Sequence, residues 1–427
     1  MDRISPASAE VAAPTNRRHR DTPPAPPERS ELFVARQPMF DRRMRVVGYE
    51  LLFRAGFVSE AAVIDDVAAT ANVMLNVFTE IGPERILGHH PGWINVSRDF
   101  LLRGLATVAP PGLVGLEILE DQVIDDEFIA SVAELKEHGY QLALDDFEYS
   151  PEAEPLLELV DVVKLDVLAL GRERFAEHVR GARRHGLTVL AEKVETHEDH
   201  DFCMTAGCDV FQGYFYRRPK LFAPARLNAN RAALMQVIAA LQDPYAELKE
   251  LERLIARDVA LSVRLLRYIN SAFFGLNCEV TSIGQAVALL GIENLQRWAT
   301  LTVFASIDGK PAELTITALT RGRFCERAGT RIRGAEPSQL FTLGLFSVIE
   351  ALLDTPIEEV LKSIPFPQQM RDALVAHAGE MGRLLDCVTA LEMGDFARAD
   401  ERIPGCARAH TEAMIWANQA ADPLLGN

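Results

Sequence analysis

Between Phe33 and Arg217 the chain alternates short apolar or β-branched runs with longer stretches whose apolar residues recur at helical spacing. The runs are FVARQPMF, RVVGYELLF, GWINVS, LVGLEIL, YQLALDD, VDVVKLD, LTVLAEKV and VFQGYFY. Between them lie segments such as EFIASVAELKEHG and RERFAEHVRGARRHG, which stop on the glycine that commonly ends a helix. Repeated strand–helix–strand units demand a mainly parallel sheet. So many of them within residues 33–217 fit a closed α/β barrel of TIM type better than an open sheet. The open, doubly wound alternative has no GxGxxG or P-loop to support its nucleotide crevice.

A length of 427 residues predicts two domains. Residues 1–32, ending in a stretch rich in Pro, Arg and charge, read as a disordered tail. Residues 33–217 are the barrel, 218–227 a linker, and 228–427 an all-α region in which strand signals nearly vanish. The formal charge of −17 excludes a nucleic-acid binder that works by neutralising phosphates. It is compatible with a small phosphorylated ligand held through a divalent cation. Six cysteines without a CxxC pair read as reduced thiols. No apolar run approaches the roughly 20 residues of a membrane helix, and no leader is visible. The expectation is a cytoplasmic protein with no membrane partner.

Polar residues interrupt the apolar runs in a regular way: Glu50, Asn95, Glu117, Asp145, Asp146, Lys164, Glu192 and Gln212 each fall within or at the downstream end of a strand. The C-terminal strand ends of a barrel form its reactive mouth, so these residues should converge. Glu50, Glu117, Asp145 and Asp146 with the Asn95 amide offer hard oxygen donors, which suit Mg²⁺ or Mn²⁺ rather than zinc. Such ions lower the pKa of bound water and stabilise a phosphoryl displacement. Lys164 is suited to positioning water or neutralising charge, Glu192 to general-base work, and Arg54 to gripping a phosphate. Asp145 and Asp146 can both reach one centre only where the strand ends and the backbone turns. His89 and His90 read as exposed loop residues, and His200-Asp201 as a solvated helix cap.

These residues resemble the EAL family of cyclic di-GMP phosphodiesterases over about residues 33–217. Glu50-Leu51-Leu52 stands at the motif that names the family, with Leu for Ala, and Arg54 at its substrate-binding arginine. ARQPMF places Gln37 at a ligand-contacting position; INVS, LEILE, LALDDF, VVKLD, LAEKVE and FQGY follow in order. The resemblance implies a homodimer that hydrolyses cyclic di-GMP to the linear dinucleotide. Glu50, Asn95, Glu117, Asp145 and Asp146 would hold metal, Lys164 and Glu192 would act in catalysis, Gln37, Arg54 and Gln212 would contact substrate, and Glu120 would brace the loop after the aspartates. Where the family continues DDFGTGYSSL, this chain reads DDFEYSPEAEPL. A second reading therefore stands beside the first: a catalytically silent cyclic di-GMP receptor or protein-interaction scaffold.

The C-terminal region resembles the HDOD family, most recognisably in ARDVALSVRLLRYINSAFFG with Asn270-Ser271 at its characteristic pair. Catalytic HD relatives carry a pattern like GLLHDIG. Here GLFSVIE puts Ser347 and Val348 where His and Asp would ligate metal. A hydroxyl and an isopropyl group cannot replace them. The resemblance implies a regulatory module that binds an unidentified protein partner. His377 reads as a structural or buried histidine.

Overall fold

The computed structural model describes residues 32–55, 77, 81–120, 122–220 and 229–425, the last span apart from positions 244, 246, 258, 277, 278 and 308. The expected tail up to residue 31, most of the linker, Cys278 and the Arg54 side chain lie outside the described residues.

Each of the eight apolar runs forms a strand: β1 Leu32–Asp41, β2 Val46–Ala55, β3 Gly92–Val96, β4 Val114–Ile118, β5 Gln141–Leu144, β6 Val162–Asp166, β7 Thr188–Glu192 and β8 Val210–Gln212. They close into a barrel in chain order. β2 to β8 run parallel, whereas β1 is antiparallel to both its neighbours, β2 and β8. The cause is local. β1 and β2 are joined by a tight turn, which reverses the chain, rather than by a crossover helix. Asp41 Oδ1 builds that turn by accepting from the amides of Arg43 (2.8 Å) and Arg45 (2.9 Å).

The described helices around the barrel are α1 Pro83–Leu87, α2 Arg98–Leu102, α3 Asp126–Glu137, α4 Val167–Arg184 and α5 His197–Ala206. Ser97, Asp125, Asp166 and Thr196 cap the last four by accepting from backbone amides of the first turn. Asp166 ends β6 and caps α4 at once, so strand passes into helix without a loop.

Alternation along the strands sets two layers inside the barrel. Two residues from each polar position lies a small or apolar one: Met39, Gly48, Trp93, Gly115, Ala143, Val162, Leu190 and Val210. Met39, Trp93, Ala143 and Leu190 form a buried cluster of their own, with Val162 and Val210 packed on it. The glycines make room for the indole. A Cβ at Gly115 would come within 2.4 Å of the Trp93 ring, and one at Gly48 within 3.1 Å. This apolar plug is the floor on which the polar layer stands.

Residues 229–425 are helical, with no strand among the described residues. The elements are α6 Ala229–Leu241, α7 Leu248–Arg257, α8 Val259–Ile269, α9 Ile283–Ala305, α10 Ala312–Ala328, α11 Pro337–Phe346, α12 Ile349–Leu353, α13 Ile357–Leu361, α14 Gln368–Ala376, α15 Gly379–Glu392, α16 Phe396–Arg402 and α17 Cys406–Leu425. Barrel and helices share one continuous apolar core, and the described residues of both belong to a single compact unit. α15 and α17 pack against β1, and α17 also against α1. No described helix is long and apolar enough to cross a membrane. The five described cysteines are buried.

Two features singled out in the sequence prove structural. The Asn270 side chain clasps the Val280 backbone, donating to its carbonyl (2.8 Å) and accepting from its amide (2.7 Å). Ser271 Oγ donates to the Tyr268 carbonyl at 2.6 Å, closing α8. His377 ends α14 at φ 51° and pairs with Asp386 at 2.6 Å. It is exposed rather than buried, because the cap it forms projects from the surface.

Candidate active site

Every strand contributes one side chain to the layer above the apolar floor: Gln37, Glu50, Asn95, Glu117, Asp145, Lys164, Glu192 and Gln212, with Asp145 just past the end of β5. Register makes neighbours of them. Gln37 faces Glu50 across the β1–β2 pair, and Asn95 faces Glu117 across β3–β4.

Lys164, only 1% exposed, stands among four carboxylates. Its Nζ lies 2.7 Å from Glu117, 2.7 Å from Asp145, 2.8 Å from Glu192 and 3.6 Å from Glu50. Burial opposes the ammonium's charge, but the carboxylates, Glu117 foremost, outweigh it and hold its pKa well above the ordinary value. Burial drives the other side of the balance too. It raises the pKa of Glu117 well above its usual range and pushes Glu192 up to about 8, against the pull of Lys164.

The second Glu50 contacts are amides. Asn95 Nδ2 donates to Oε1 at 3.0 Å, and Gln212 Nε2 donates to Oε2 at 2.5 Å and to Gln37 Oε1 at 2.9 Å. With their nitrogens so engaged, the amide oxygens Asn95 Oδ1 and Gln212 Oε1 are buried without a hydrogen-bond partner among the described residues, as are Glu117 Oε1 and Asp146 Oδ1. Buried polar atoms are normally satisfied, so orphaned oxygens of this density mark a site built for something else. Among the described residues no three acidic, His or Cys side chains already surround one point as a cation cage. The donor set nevertheless fits a hard divalent cation: carboxylate and amide oxygens, no thiol or imidazole, and a single ammonium against four acids.

The doubled aspartate is split as the strand end requires. The Asp145 amide still donates to the Ile118 carbonyl (2.9 Å) as if in the sheet, whereas Asp146 takes φ 40°. That left-handed residue turns the chain, and aspartate is among the few non-glycine residues that accept it readily. Asp146 Oδ2 lies 3.6 Å from Lys193, which also pairs with Asp166 at 2.5 Å. Asp166 and Lys193 were not anticipated, although each sits one or two residues from a residue that was.

The loop that departs from the family pattern is held by side chains. Tyr149 lies against Gly181 of α4, where an added Cβ would be 2.4 Å from the phenol oxygen. The Tyr149 ring also packs on Phe147 and His178, at centroid distances of 4.8 and 5.3 Å. Arg174 donates to Glu148 at 2.8 Å, and Ser150 Oγ accepts from the Ala153 amide at 3.1 Å. Anchorage on α4 thus stands where paired glycines were expected. The loop borders a cleft of about 450 Å³ lined by Asp146, Glu148, Ser150 and Asp166. Glu120 is exposed on the same cleft, with no hydrogen bond to the loop among the described residues.

The histidines need two adjustments. His90 packs edge-on against Tyr49, at a centroid distance of 5.8 Å, while His89 is exposed. His200 is no solvated cap, since Thr196 caps α5 and the His200 ring stacks on Phe215 at 4.7 Å. In the helical region, Ser347 Oγ donates to the Gly344 carbonyl (2.7 Å) and accepts from Arg321 (3.1 Å), and Val348 is buried. The Arg321 guanidinium thus bonds the hydroxyl that stands in the position of a metal-binding histidine in the HD pattern.

Known proteins fall in line with this architecture. The EAL domain family matches residues 62–219 and the HDOD domain family residues 229–355. The cyclic di-GMP phosphodiesterase CdgJ of Vibrio cholerae is 34% identical over 389 residues, covering 88% of this chain and 90% of that protein. The uncharacterized protein YuxH of Bacillus subtilis is 31% identical over 379 residues, covering 87% and 93%. A crystal structure of an EAL domain protein from Listeria monocytogenes shares 20% identity over 43% of this chain and 87% of that one, with a TM-score of 0.35. With an eight-stranded barrel leading into HDOD helices, and with 34% identity to CdgJ over most of both chains, the chain belongs to the EAL–HDOD family.

Proposed function

We propose that the barrel is a metal-dependent phosphodiesterase that hydrolyses one phosphodiester bond of cyclic di-GMP to give the linear dinucleotide, with Mg²⁺ or Mn²⁺ as its ion. One observation carries the reading: a buried ring in which, among the described residues, Lys164 alone faces Glu50, Glu117, Asp145 and Glu192, while neighbouring oxygens have no partner. Buried carboxylates that lack compensation are costly. Divalent ions held by Glu50, Asn95, Glu117, Asp145 and Asp146 would supply the missing charge. When bound, such an ion acts as a Lewis acid on phosphoryl oxygen and acidifies water.

The chain's own residues divide the remaining work. Glu192, held 2.8 Å from Lys164 at the end of β7, accepts the proton of the attacking water. Lys164 stands beside Glu192 and Asp145, where it orients the nucleophile and balances charge. The new P–O bond forms to the water oxygen as the P–O bond to the ribose breaks, and the departing ribose oxygen takes a proton from solvent, which balances the one accepted by Glu192. Gln212, through its free oxygen, and Gln37 and Arg54 contact the dinucleotide. The helical region serves as a regulatory or partner-binding module, and the protein acts as a cytoplasmic homodimer. Arg321 beside Ser347 supports the non-catalytic role of the helices, and the free buried thiols of Cys203, Cys208, Cys325 and Cys387 support the location.

The test is incubation of the purified chain with cyclic di-GMP and Mg²⁺ or Mn²⁺, followed by chromatographic separation. Linear dinucleotide should accumulate and should vanish with Glu50→Ala. Binding of cyclic di-GMP without any linear product at high protein concentration would establish the receptor reading instead.

A further inference from the structure

The amides that hold Glu50 continue outward into the helical region. Gln212 Nε2 donates to Glu50 and to Gln37 Oε1. Gln37 Nε2 donates to the Tyr214 hydroxyl, which donates to the main-chain carbonyl of Glu392 at 3.4 Å. Each amide has one donating and one accepting end, so flipping either glutamine would set like against like; the chain has a single consistent direction. Glu392 is the last residue of α15 and lies beyond the HDOD match. Its carboxylate is gripped from both sides, by Arg217 of the barrel at 2.7 Å and by Arg321 of α10 at 2.8 Å. The carbonyl that receives the Tyr214 hydroxyl is therefore fixed.

We propose that α15, acting through Glu392 and Tyr214, is a positioning element for Glu50: seating the helices orients the Gln37 and Gln212 amides and thereby holds this carboxylate ready for the ion. The inference rests on the metal-dependent reading above. Tyr214 and Glu392 are positioning residues, touching neither ion nor substrate. Because the coupling is reciprocal, an ion bound at Glu50 tightens the seat of α15.

The experiment uses the full chain, without nucleotide, and follows Mn²⁺ binding by electron paramagnetic resonance together with amide exchange in α15. Tyr214→Phe keeps the ring and loses only the hydroxyl. Removing an outer partner of a metal ligand weakens affinity by about tenfold or more. Tyr214 stands two hydrogen bonds beyond Gln212, the direct partner of Glu50, so Tyr214→Phe should bind Mn²⁺ severalfold more weakly, short of that limit of about tenfold, with the thermal midpoint of the metal-free chain unchanged. Added Mn²⁺ should slow exchange in α15 of the wild type and not of the variant. Arg408→Ala, a surface change on α17, should alter neither. Wild-type affinity in Tyr214→Phe, with α15 protected equally, overturns the relay while leaving hydrolysis standing. A wild-type chain that binds no Mn²⁺ overturns the relay and the metal-dependent reading together.

Discussion

The protein buries two clusters of charge, and they are balanced in opposite ways. At the barrel mouth one ammonium, Lys164, faces four carboxylates. Where barrel meets helices, three guanidiniums face two carboxylates. Glu392 takes Arg217 and Arg321, while Arg36 stacks at 4.1 Å over Tyr49, whose hydroxyl donates to Glu313 at 2.8 Å. Arg36 is further bonded to Asn418, 2.8 Å away, and to the Ile86 carbonyl. The interface cluster is closed around its guanidiniums, each of which donates to an acceptor, and among the described residues the buried atoms it leaves unpartnered are the His410 ring nitrogens rather than oxygens. The mouth has oxygens left over. Closed clusters of this kind fix how two regions sit together, whereas an acid-rich one is poised for cations.

That contrast can be broken at either end. The largest effect should come from Lys164→Met, which leaves the mouth acids without their ammonium. Removing one partner of a buried pair costs about 3–5 kcal/mol, so urea unfolding in chelator should show a loss of that order. Mn²⁺ should restore more stability to this variant than to the wild type; equal gains would mean that the ion does not enter the acid ring. Next comes Glu392→Gln, which strands two guanidiniums and should cost about 3–4 kcal/mol. That loss should persist with Mn²⁺ present, since the ion cannot neutralise arginines.

Acid should dissolve the interface in two stages. Burial holds His410 neutral, with its pKa lowered from 6.5 to about 4. A base depressed in the fold contributes stability above its unfolded pKa and loses it as pH falls, here from about 6.5 towards 4. Glu392 is lowered from 4.5 to about 2, because Arg217 and Arg321 outweigh the opposing effect of burial. Its contribution is present above about pH 4.5 and is lost towards pH 2. Each limb amounts to at most about 3 kcal/mol. His410→Leu should flatten the upper limb of the acid-unfolding curve and leave the lower one; an unchanged curve would show that His410 is not its source.

The smallest effect belongs to the loop. Tyr149→Ala removes a partly exposed ring from the Gly181 notch and should cost about 1 kcal/mol or less, while lowering turnover severalfold through misplacement of Asp146. A variant with full turnover would show that Glu148 and Ser150 hold the loop without the ring.

Much of the mouth was legible because a polar residue inside an apolar run is conspicuous and the period of a strand is fixed. All eight strands and their ring follow from that pattern. The floor beneath was equally visible in hindsight: Gly48 and Gly115 stand two residues before Glu50 and Glu117, and Trp93 two before Asn95. The reversed direction of β1 also had a signal, since DRRM between the first two runs is too short for a crossover helix. The interface cluster had none. Glu392, His410 and Asn418 look like the solvated face of a helix until tertiary packing buries them. Tyr149 and Gly181 were unreadable for a related reason, because their contact joins two segments that have no shared pattern.

The most direct test of the central claim is Mn²⁺ titration of the mouth, followed by electron paramagnetic resonance, comparing the wild type with Glu117→Gln. An acid ring completed by divalent cations predicts saturable binding that weakens at least about a hundredfold in the variant. Equal binding by the two proteins, or no binding by the wild type, would contradict it.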